Sequence, residues 1–251
     1  MLYLKALVCK ALFREFSLFA ALSDNVIDIS FFEYGLHNKV GALKEVLQDE
    51  INRIDSGDDL HTSYPPYDIP FAGILIGYGL CSNAVEGLSS KHYPLVIPRA
   101  HDCITLLLGS KERYDALFKE TPGTYWLSPG WVESEKIPGA KEHEFYINRY
   151  LGKYDEELTM TMVEMSEEWI KNYTRFALIE WPEFEGKEFA QATKALAEES
   201  AQYSDLRLDL LNGNSGLVQD LLSGNWDEER FLVVPPGQTV KPSFDTGVIT
   251  Y

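Results

Sequence analysis

Cysteine and basic residues are both scarce in this sequence. Three of the 251 residues are cysteine, and this low, odd number excludes a disulfide framework and leaves at least one thiol free. Lysine and arginine number 22 against 39 aspartates and glutamates, which gives a formal net charge of −17. A charge of this size repels a nucleic-acid backbone and an anionic membrane surface, so neither is expected as a partner.

The sequence also lacks an apolar run long enough to cross a membrane. Its first residues, Met1–Lys5, place a lysine inside a short apolar run and show no signal-peptide cleavage site. Because free thiols persist in reducing compartments, a cytoplasmic protein is expected. The length suits one α/β domain over residues 1–251, which could divide into a half bearing the cysteines and most histidines, residues 1–135, and a helical and α/β second half, residues 136–251.

Strand-like and helix-like segments alternate along the chain. This pattern predicts an α/β fold, in one lobe or two, with a mainly parallel, doubly wound, Rossmann-like sheet and helices on both faces. The predicted strands are Leu4–Val8, Val26–Phe32, Gly73–Ile76, Leu95–Ile97, Phe176–Ile179, Leu206–Leu211 and Phe231–Val234. The predicted helices are Ala11–Ala20, Val40–Ile51, one that opens near Ser82 and Asn83, Ile104–Leu108, Glu142–Lys171 with a break at Gly152, and Phe189–Gln202. The aromatic stretch Thr124–Trp131 is interpreted as a loop that either walls a flat ligand or covers the edge of the sheet.

Each of the three cysteines follows a predicted strand. Cys9 ends the first apolar run, Cys81 comes after the third strand and Cys103 after the fourth. If these strands are parallel neighbours, the three thiols meet at the carboxyl edge of the sheet, where open α/β sheets bind their ligands. Thiolates select zinc, copper(I) and iron–sulfur clusters, so the pattern favours a soft-metal site that holds zinc or a [4Fe–4S] cluster. The alternative is an inert role, because a buried cysteine behaves as a small apolar residue and the sequence has no Cys-x-x-Cys motif.

Two histidines and three polar residues accompany the cysteines. His101 precedes Cys103 by two residues, so both side chains share one face of an extended segment and form a candidate ligand pair. His37 follows the second predicted strand and belongs either to the metal site or to a solvated loop.

The polar residues beside the cysteines are candidates for catalysis. Arg99 either binds the carboxylate or phosphate of a substrate or pairs with a neighbouring acid. Tyr78 brings a hydroxyl to a glycine-rich segment that suits an anion. Asp102 is either a catalytic group or the cap of the helix that follows it.

Several short motifs stand out in this sequence: Val8-Cys9, Gly35–Asn38, Tyr78–Cys81, Ile97–Ile104, Leu108–Ser110, Pro122–Tyr125 and Pro129–Trp131, of which the string Pro98-Arg-Ala-His-Asp-Cys103 is the most specific. They resemble the motifs of an uncharacterised family, domain of unknown function 1638. The resemblance covers roughly residues 1–180 and includes all five candidate ligands. It implies occurrence in anaerobic archaea and bacteria, often encoded near corrinoid-dependent methyl-transfer proteins, and implies no established activity.

Two classes of function are therefore expected. The first is a metal-dependent enzyme that acts on a small polar or anionic substrate in one-carbon or methyl metabolism, with Arg99, Tyr78 and Asp102 around the substrate. The second is a non-catalytic accessory protein that binds a metal, a corrinoid protein or a methyltransferase. Polar groups around the metal distinguish the two classes, because a carrier needs only ligands and a docking face. The three polar residues favour the enzyme.

Overall fold

The computed structural model describes residues 1–39, 41–58, 69–81, 83–134, 137–243 and 247–251, which form two compact units. The first unit comprises Met1–Tyr114 and Asn214–Tyr251, and the second comprises Asp115–Gly213. The first unit is therefore built from two separate segments of the chain, and the second from the continuous segment between them.

The described residues form ten strands and nine α-helices. The strands are β1 (Tyr3–Cys9), β2 (Val26–Phe32), β3 (Gly73–Gly77), β4 (Leu95–Pro98), β5 (Thr124–Leu127), β6 (Arg175–Glu180), β7 (Arg207–Asn212), β8 (Phe231–Val234), β9 (Lys241–Pro242) and β10 (Ile249–Thr250). The helices are α1 (Phe13–Leu22), α2 (Ala42–Ser56), α3 (Cys103–Leu108), α4 (Lys111–Glu120), α5 (Pro129–Ser134), α6 (Ala140–Tyr150), α7 (Glu156–Glu167), α8 (Glu188–Tyr203) and α9 (Gly216–Ser223). Short 3₁₀ helices cover Lys10–Leu12, Leu36–Asn38, Glu168–Asn172 and Pro182–Phe184.

The first unit contains a five-stranded sheet with the order β2-β1-β3-β4-β8. Strands β1 to β4 are parallel, and β8 pairs with β4 in the antiparallel direction. The middle strands β3 and β4 are buried at every residue, which explains why their sequences are continuous apolar runs. Strand β1 is also largely buried, but its apolar sequence is interrupted by Lys5. This lysine is fully buried and pairs with Asp28 of β2 at 3.3 Å.

Helices cover the central strands of this sheet. The apolar stripe of α2, which includes Leu43, Leu47 and Ile51, packs with Leu7 of β1 and Ile76 of β3 in one core cluster. The spacing of three and four residues along α2 produces this stripe. Gly77 follows Ile76 in β3 and therefore faces the opposite side of the sheet. A methyl group added at Gly77 would lie 2.8 Å from Val8 and 3.1 Å from the ring of Phe16 in α1.

The second unit contains a parallel sheet of three strands with the order β5-β6-β7. Its core combines Leu127, Phe176 and Leu178 of the sheet with Ala197 and Ala201 of α8. The small alanines let the helix approach the strands closely, while the larger side chains come from the sheet.

The predicted α/β fold with a mostly parallel central sheet is confirmed. Two local predictions were wrong. Residues 83–87 form turns and not a helix, because Asn83 and Gly87 both adopt left-handed backbone conformations that interrupt a helix; Ser82 lies outside the described residues. The stretch Thr124–Trp131 is not a loop but strand β5 and the start of α5, consistent with the preference of aromatic residues for strands. None of the helices within the described ranges is long and apolar enough to cross a lipid bilayer.

Candidate functional site

The candidate site lies at the carboxyl edge of the first sheet. Strands β1 to β4 are parallel, so their carboxyl ends share this edge. The chain passes from β1 to β2 on one side, whereas β3 and β4 lie on the other side of β1. The strand order therefore reverses between β1 and β3, and α/β sheets bind ligands outside the strand ends at such a point.

Cys9 is the last residue of β1 and is buried, with 5% of its surface exposed. Burial raises the pKa of the Cys9 thiol, whereas the backbone N–H group of Ala11 and the hydroxyl of Tyr78 lower it. The sulfur therefore lies beside both a backbone donor and a tyrosine hydroxyl.

Tyr78 directly follows β3 and places a buried hydroxyl among the cysteines. Only 2% of the residue is exposed. Burial raises the pKa of the Tyr78 hydroxyl strongly, and negative charge on any of the three cysteines raises it further. Although the hydroxyl interacts with the Cys9 thiol, it has no hydrogen-bond partner of normal length and angle among the described residues. A buried hydroxyl in this state is unfavourable until a ligand satisfies it.

Cys81 occupies a left-handed backbone conformation, with φ at 44°. This conformation favours glycine and costs another residue about 1–3 kcal/mol, and such residues cluster at functional sites. Burial raises the pKa of the Cys81 thiol to about 12, with a further contribution from the charge of Asp102, while the backbone N–H groups of Gly79 and Cys103 oppose the shift. The sulfur of Cys81 is thus close to the backbone at the start of α3.

Cys103 is the first residue of α3, and its position is fixed by the residue before it. The Asp102 carboxylate accepts a hydrogen bond from the backbone of Ile104 and another from the hydroxyl of Tyr114, both at 2.9 Å. Burial raises the pKa of the Cys103 thiol well above its ordinary value, and negative charge on Cys81 raises it further. Asp102 is therefore the helix cap, which is one of the two roles that the sequence left open.

Two backbone hydrogen bonds join the segments that carry Cys81 and Cys103. The amide of Leu80 donates to the carbonyl of Ala100 at 2.7 Å, and the amide of Cys81 donates to the carbonyl of His101 at 2.9 Å. Gly79 lies at the closest approach, where an added methyl group would be 2.6 Å from the backbone nitrogen of Asp102. A side chain at position 79 would force the two segments apart.

Replacing Gly79 with alanine should therefore lower the free energy of unfolding by about 1–3 kcal/mol, because the backbone must move to admit the methyl group. Gly139→Ala is the matched control, since Gly139 has an extended backbone and, among the described residues, an added methyl group would meet only the Ile137 carbonyl, at 3.9 Å. Urea unfolding of both variants checks the prediction. Equal stability of the two variants would show that the contact at Gly79 is easily relieved.

The two candidate histidines have different positions. His101 is exposed, and its carbonyl, not its ring, makes the hydrogen bond to Cys81. His37 lies in the 3₁₀ helix that follows β2, at the same edge of the sheet, and its side chain lies outside the described part of the structure. Their roles as ligands stay predictions.

Arg99 is bound to the C-terminal part of the first unit. Its guanidinium donates hydrogen bonds to the carbonyl oxygens of Glu228, Gly247 and Ile249. Arg99 also borders a cavity of about 700 Å³, which none of the three cysteines lines. The cavity is therefore separate from the thiols, and the catalytic role of Arg99 stays a prediction.

The structure thus brings Cys9, Cys81 and Tyr78 into one core cluster, and the backbone hydrogen bonds of Leu80 and Cys81 join the segment that carries Cys103 to it. Within the ranges that the structure describes, no three His, Cys, Asp or Glu side chains form a preformed set of metal ligands. Tyr114 joins the site through Asp102, and the sequence alone does not identify it, because twelve residues and a change of helix separate the two.

Fold and site together define an α/β protein with a group of thiols at the edge of a parallel sheet. A family model described as "Protein of unknown function (DUF1638)" matches residues 31–222, which is more than half of the chain, so the chain belongs to this family. The match confirms the resemblance that the motifs indicated. It includes Cys81 and Cys103, begins after Cys9 and extends beyond residue 180. Comparisons with curated proteins and with solved structures gave no match.

Proposed function

We propose that the first unit binds a soft metal centre, zinc or a [4Fe–4S] cluster, through Cys9, Cys81 and Cys103. The observation that carries the proposal is the grouping of three thiols around the buried Tyr78 hydroxyl, which has no hydrogen-bond partner of normal geometry among the described residues, where the strand order reverses. Thiolates are the preferred ligands of both centres.

The surroundings of the sulfurs support this proposal. Backbone N–H groups lower the thiol pKa at each of the three cysteines, and hydrogen bonds to sulfur tune metal–thiolate centres in the same way. The thiols must rotate to bind one ion, since the described side chains form no preformed ligand set. His37 or His101 would supply a fourth ligand.

We further propose that the centre serves an enzyme acting on a small polar or anionic substrate in one-carbon or methyl metabolism. In a doubly wound sheet, the substrate would bind next to the metal, at the point where the strand order reverses. Zinc would activate a bound thiol or water, and a cluster with an open iron would act as a Lewis acid. The Tyr78 hydroxyl would orient the substrate or a metal-bound group. Reduced thiols would be kept available in the cytoplasm.

A non-catalytic accessory protein is the second candidate. Arg99 donates to three backbone carbonyls, and Asp102 caps a helix, so two of the polar groups expected around a substrate already have structural partners. This observation favours a carrier that presents its metal to a corrinoid protein or methyltransferase. Turnover with a small substrate would decide for the enzyme.

Replacing Tyr78 with phenylalanine should have opposite effects on stability and on metal binding. The metal-free variant should be more stable by about 1 kcal/mol, because it lacks a buried hydroxyl without a partner of normal geometry. Metal affinity should fall about tenfold, as is typical when a group next to the ligands is removed. Thermal unfolding and competition with a chelator measure the two effects. A loss of stability together with unchanged affinity would make Tyr78 an ordinary core residue.

Metal binding should release about three protons, one from each thiol. Protons are released because the raised pKa values keep the metal-free thiols protonated near neutral pH, whereas the metal binds the deprotonated thiolates. Affinity for Zn²⁺ should therefore rise as pH rises. Calorimetry in buffers of different ionisation enthalpy counts the protons, and binding without proton release would contradict thiolate ligation.

The metal content of protein purified without oxygen tests the proposal as a whole. Stoichiometric zinc with a featureless visible spectrum would identify a zinc site, and iron with sulfide and broad visible absorption would identify a cluster. Protein that holds neither, and that fails to bind Zn²⁺ or a reconstituted cluster, would refute the metal site.

A further inference from the structure

A cavity of about 460 Å³ lies at the carboxyl edge of the sheet in the second unit. Glu180 ends β6 and Asn212 ends β7, and both line the cavity together with residues of α8. The volume falls within the range of small-molecule sites, about 300–1,000 Å³. The carboxyl edge is also where parallel α/β sheets bind ligands.

Three charged residues line this cavity: Glu185 is exposed, whereas Glu180 and Lys194 occupy positions that periodicity assigns to the core. Phe176, Leu178 and Glu180 alternate along β6 and share one face, of which the first two belong to the core. Lys194 precedes Ala197 by three residues and lies on the face of α8 that packs against this core. The apolar patterns of strand and helix are thus both interrupted where the cavity begins.

The charges of Glu180 and Lys194 are not paired with each other. Both residues are half-buried, and over the described ranges neither side chain makes a hydrogen bond or an ion pair. A carboxylate and an ammonium that line one cavity without pairing leave both charges available to a ligand. A ligand with a cationic group for Glu180 and an anionic group for Lys194 would satisfy both.

Two aromatic residues form part of the remaining wall, beside polar residues that include Glu185, Gln191 and Thr193. Trp181 and Phe184 are almost fully buried and line the cavity beside Glu180. Their rings are nearly parallel, with an interplanar angle of 13° and centroids 6.1 Å apart. They offer an apolar surface to the body of a ligand whose charged groups contact Glu180 and Lys194.

We propose that this cavity binds a free amino acid with an apolar or aromatic side chain. The amino group contacts Glu180, the carboxylate contacts Lys194, and the side chain packs against Trp181 and Phe184. The site lies wholly within the second unit, and the proposal does not depend on the metal.

Thermal-shift screening of the full chain with the twenty free amino acids, followed by calorimetry, tests the proposal. We expect apolar or aromatic members to bind, and we expect their N-acetyl and carboxamide derivatives to bind at least about tenfold more weakly, since each lacks one charged group. Absence of binding by all twenty, or equal binding of the blocked derivatives, would overturn the proposal.

Matched variants then locate the site. Glu180→Gln and Lys194→Met should each weaken binding at least about tenfold, whereas Glu198→Gln and Lys187→Met change exposed charges of the same helix region and should not. The ligand-free midpoints of the first two variants should stay the same or rise, because each removes an unpaired charge. Unchanged affinity in both would place any bound amino acid elsewhere and refute the site.

Discussion

Replacing Asp28 with alanine should lower the free energy of unfolding of the first unit by about 3–5 kcal/mol, because it removes a carboxylate that pairs with the buried ammonium of Lys5. Lys5 is fully buried in the middle of the sheet, and its Nζ lies 3.3 Å from Oδ1 of Asp28. The two residues are directly paired in register, each as the third residue of its strand, and the side chain of Lys5 is fully buried. Urea unfolding monitored by circular dichroism measures the effect.

An exposed ion pair of the same chain provides the control. Lys171 and Glu168 are 3.9 Å apart, with side chains 79% and 69% exposed, so Glu168→Gln should change stability by less than about 0.5 kcal/mol. The apolar double variant Lys5→Met with Asp28→Leu should recover most of the stability lost in Asp28→Ala. If Asp28→Ala were as mild as Glu168→Gln, water or another acid would have to neutralise Lys5.

Replacing Cys103 with serine should reduce metal affinity by at least about a hundredfold, because a hard hydroxyl takes the place of a soft thiolate. The same loss is expected for Cys81→Ser. Metal content after anaerobic purification and competition with a chelator give the two measurements.

The alanine variants separate a ligand from an inert core residue. If Cys103 is a ligand, Cys103→Ala and Cys103→Ser should lose the metal equally. If it is a small apolar core residue, alanine should be tolerated better than serine, and neither should affect metal binding. Retention of the metal by both alanine variants, Cys81→Ala and Cys103→Ala, would refute thiolate ligation at the sheet edge.

Local sequence patterns predicted the placement of the three thiols at one edge of the sheet. Each cysteine follows a continuous apolar run, and such runs are typical of buried parallel strands whose carboxyl ends share an edge. The parallel direction places the three thiols at one edge, and their mutual proximity was predicted on the condition that the strands are neighbours. The reversal of order between β1 and β3 required the structure, because no local signal states which strands are neighbours.

Long-range partners explain what the sequence could not predict. The guanidinium of Arg99 donates hydrogen bonds to carbonyl oxygens of residues 129 to 150 positions away along the chain. No local motif therefore reveals that Arg99 already has hydrogen-bond partners. The first unit likewise combines both ends of the chain, whereas the second is one continuous segment, and the order of elements does not reveal this division. The strand at Thr124–Leu127 was missed because it is short and depends on pairing with β6.

X-ray absorption at the metal edge of anaerobically purified protein tests the central claim most directly. For zinc or a cluster bound by Cys9, Cys81 and Cys103, we predict sulfur neighbours at about 2.3 Å from the metal, with one fewer protein sulfur in Cys103→Ser protein that has been reloaded with excess metal. A first coordination sphere made only of nitrogen and oxygen would contradict thiolate ligation, and so would a spectrum unchanged by the substitution.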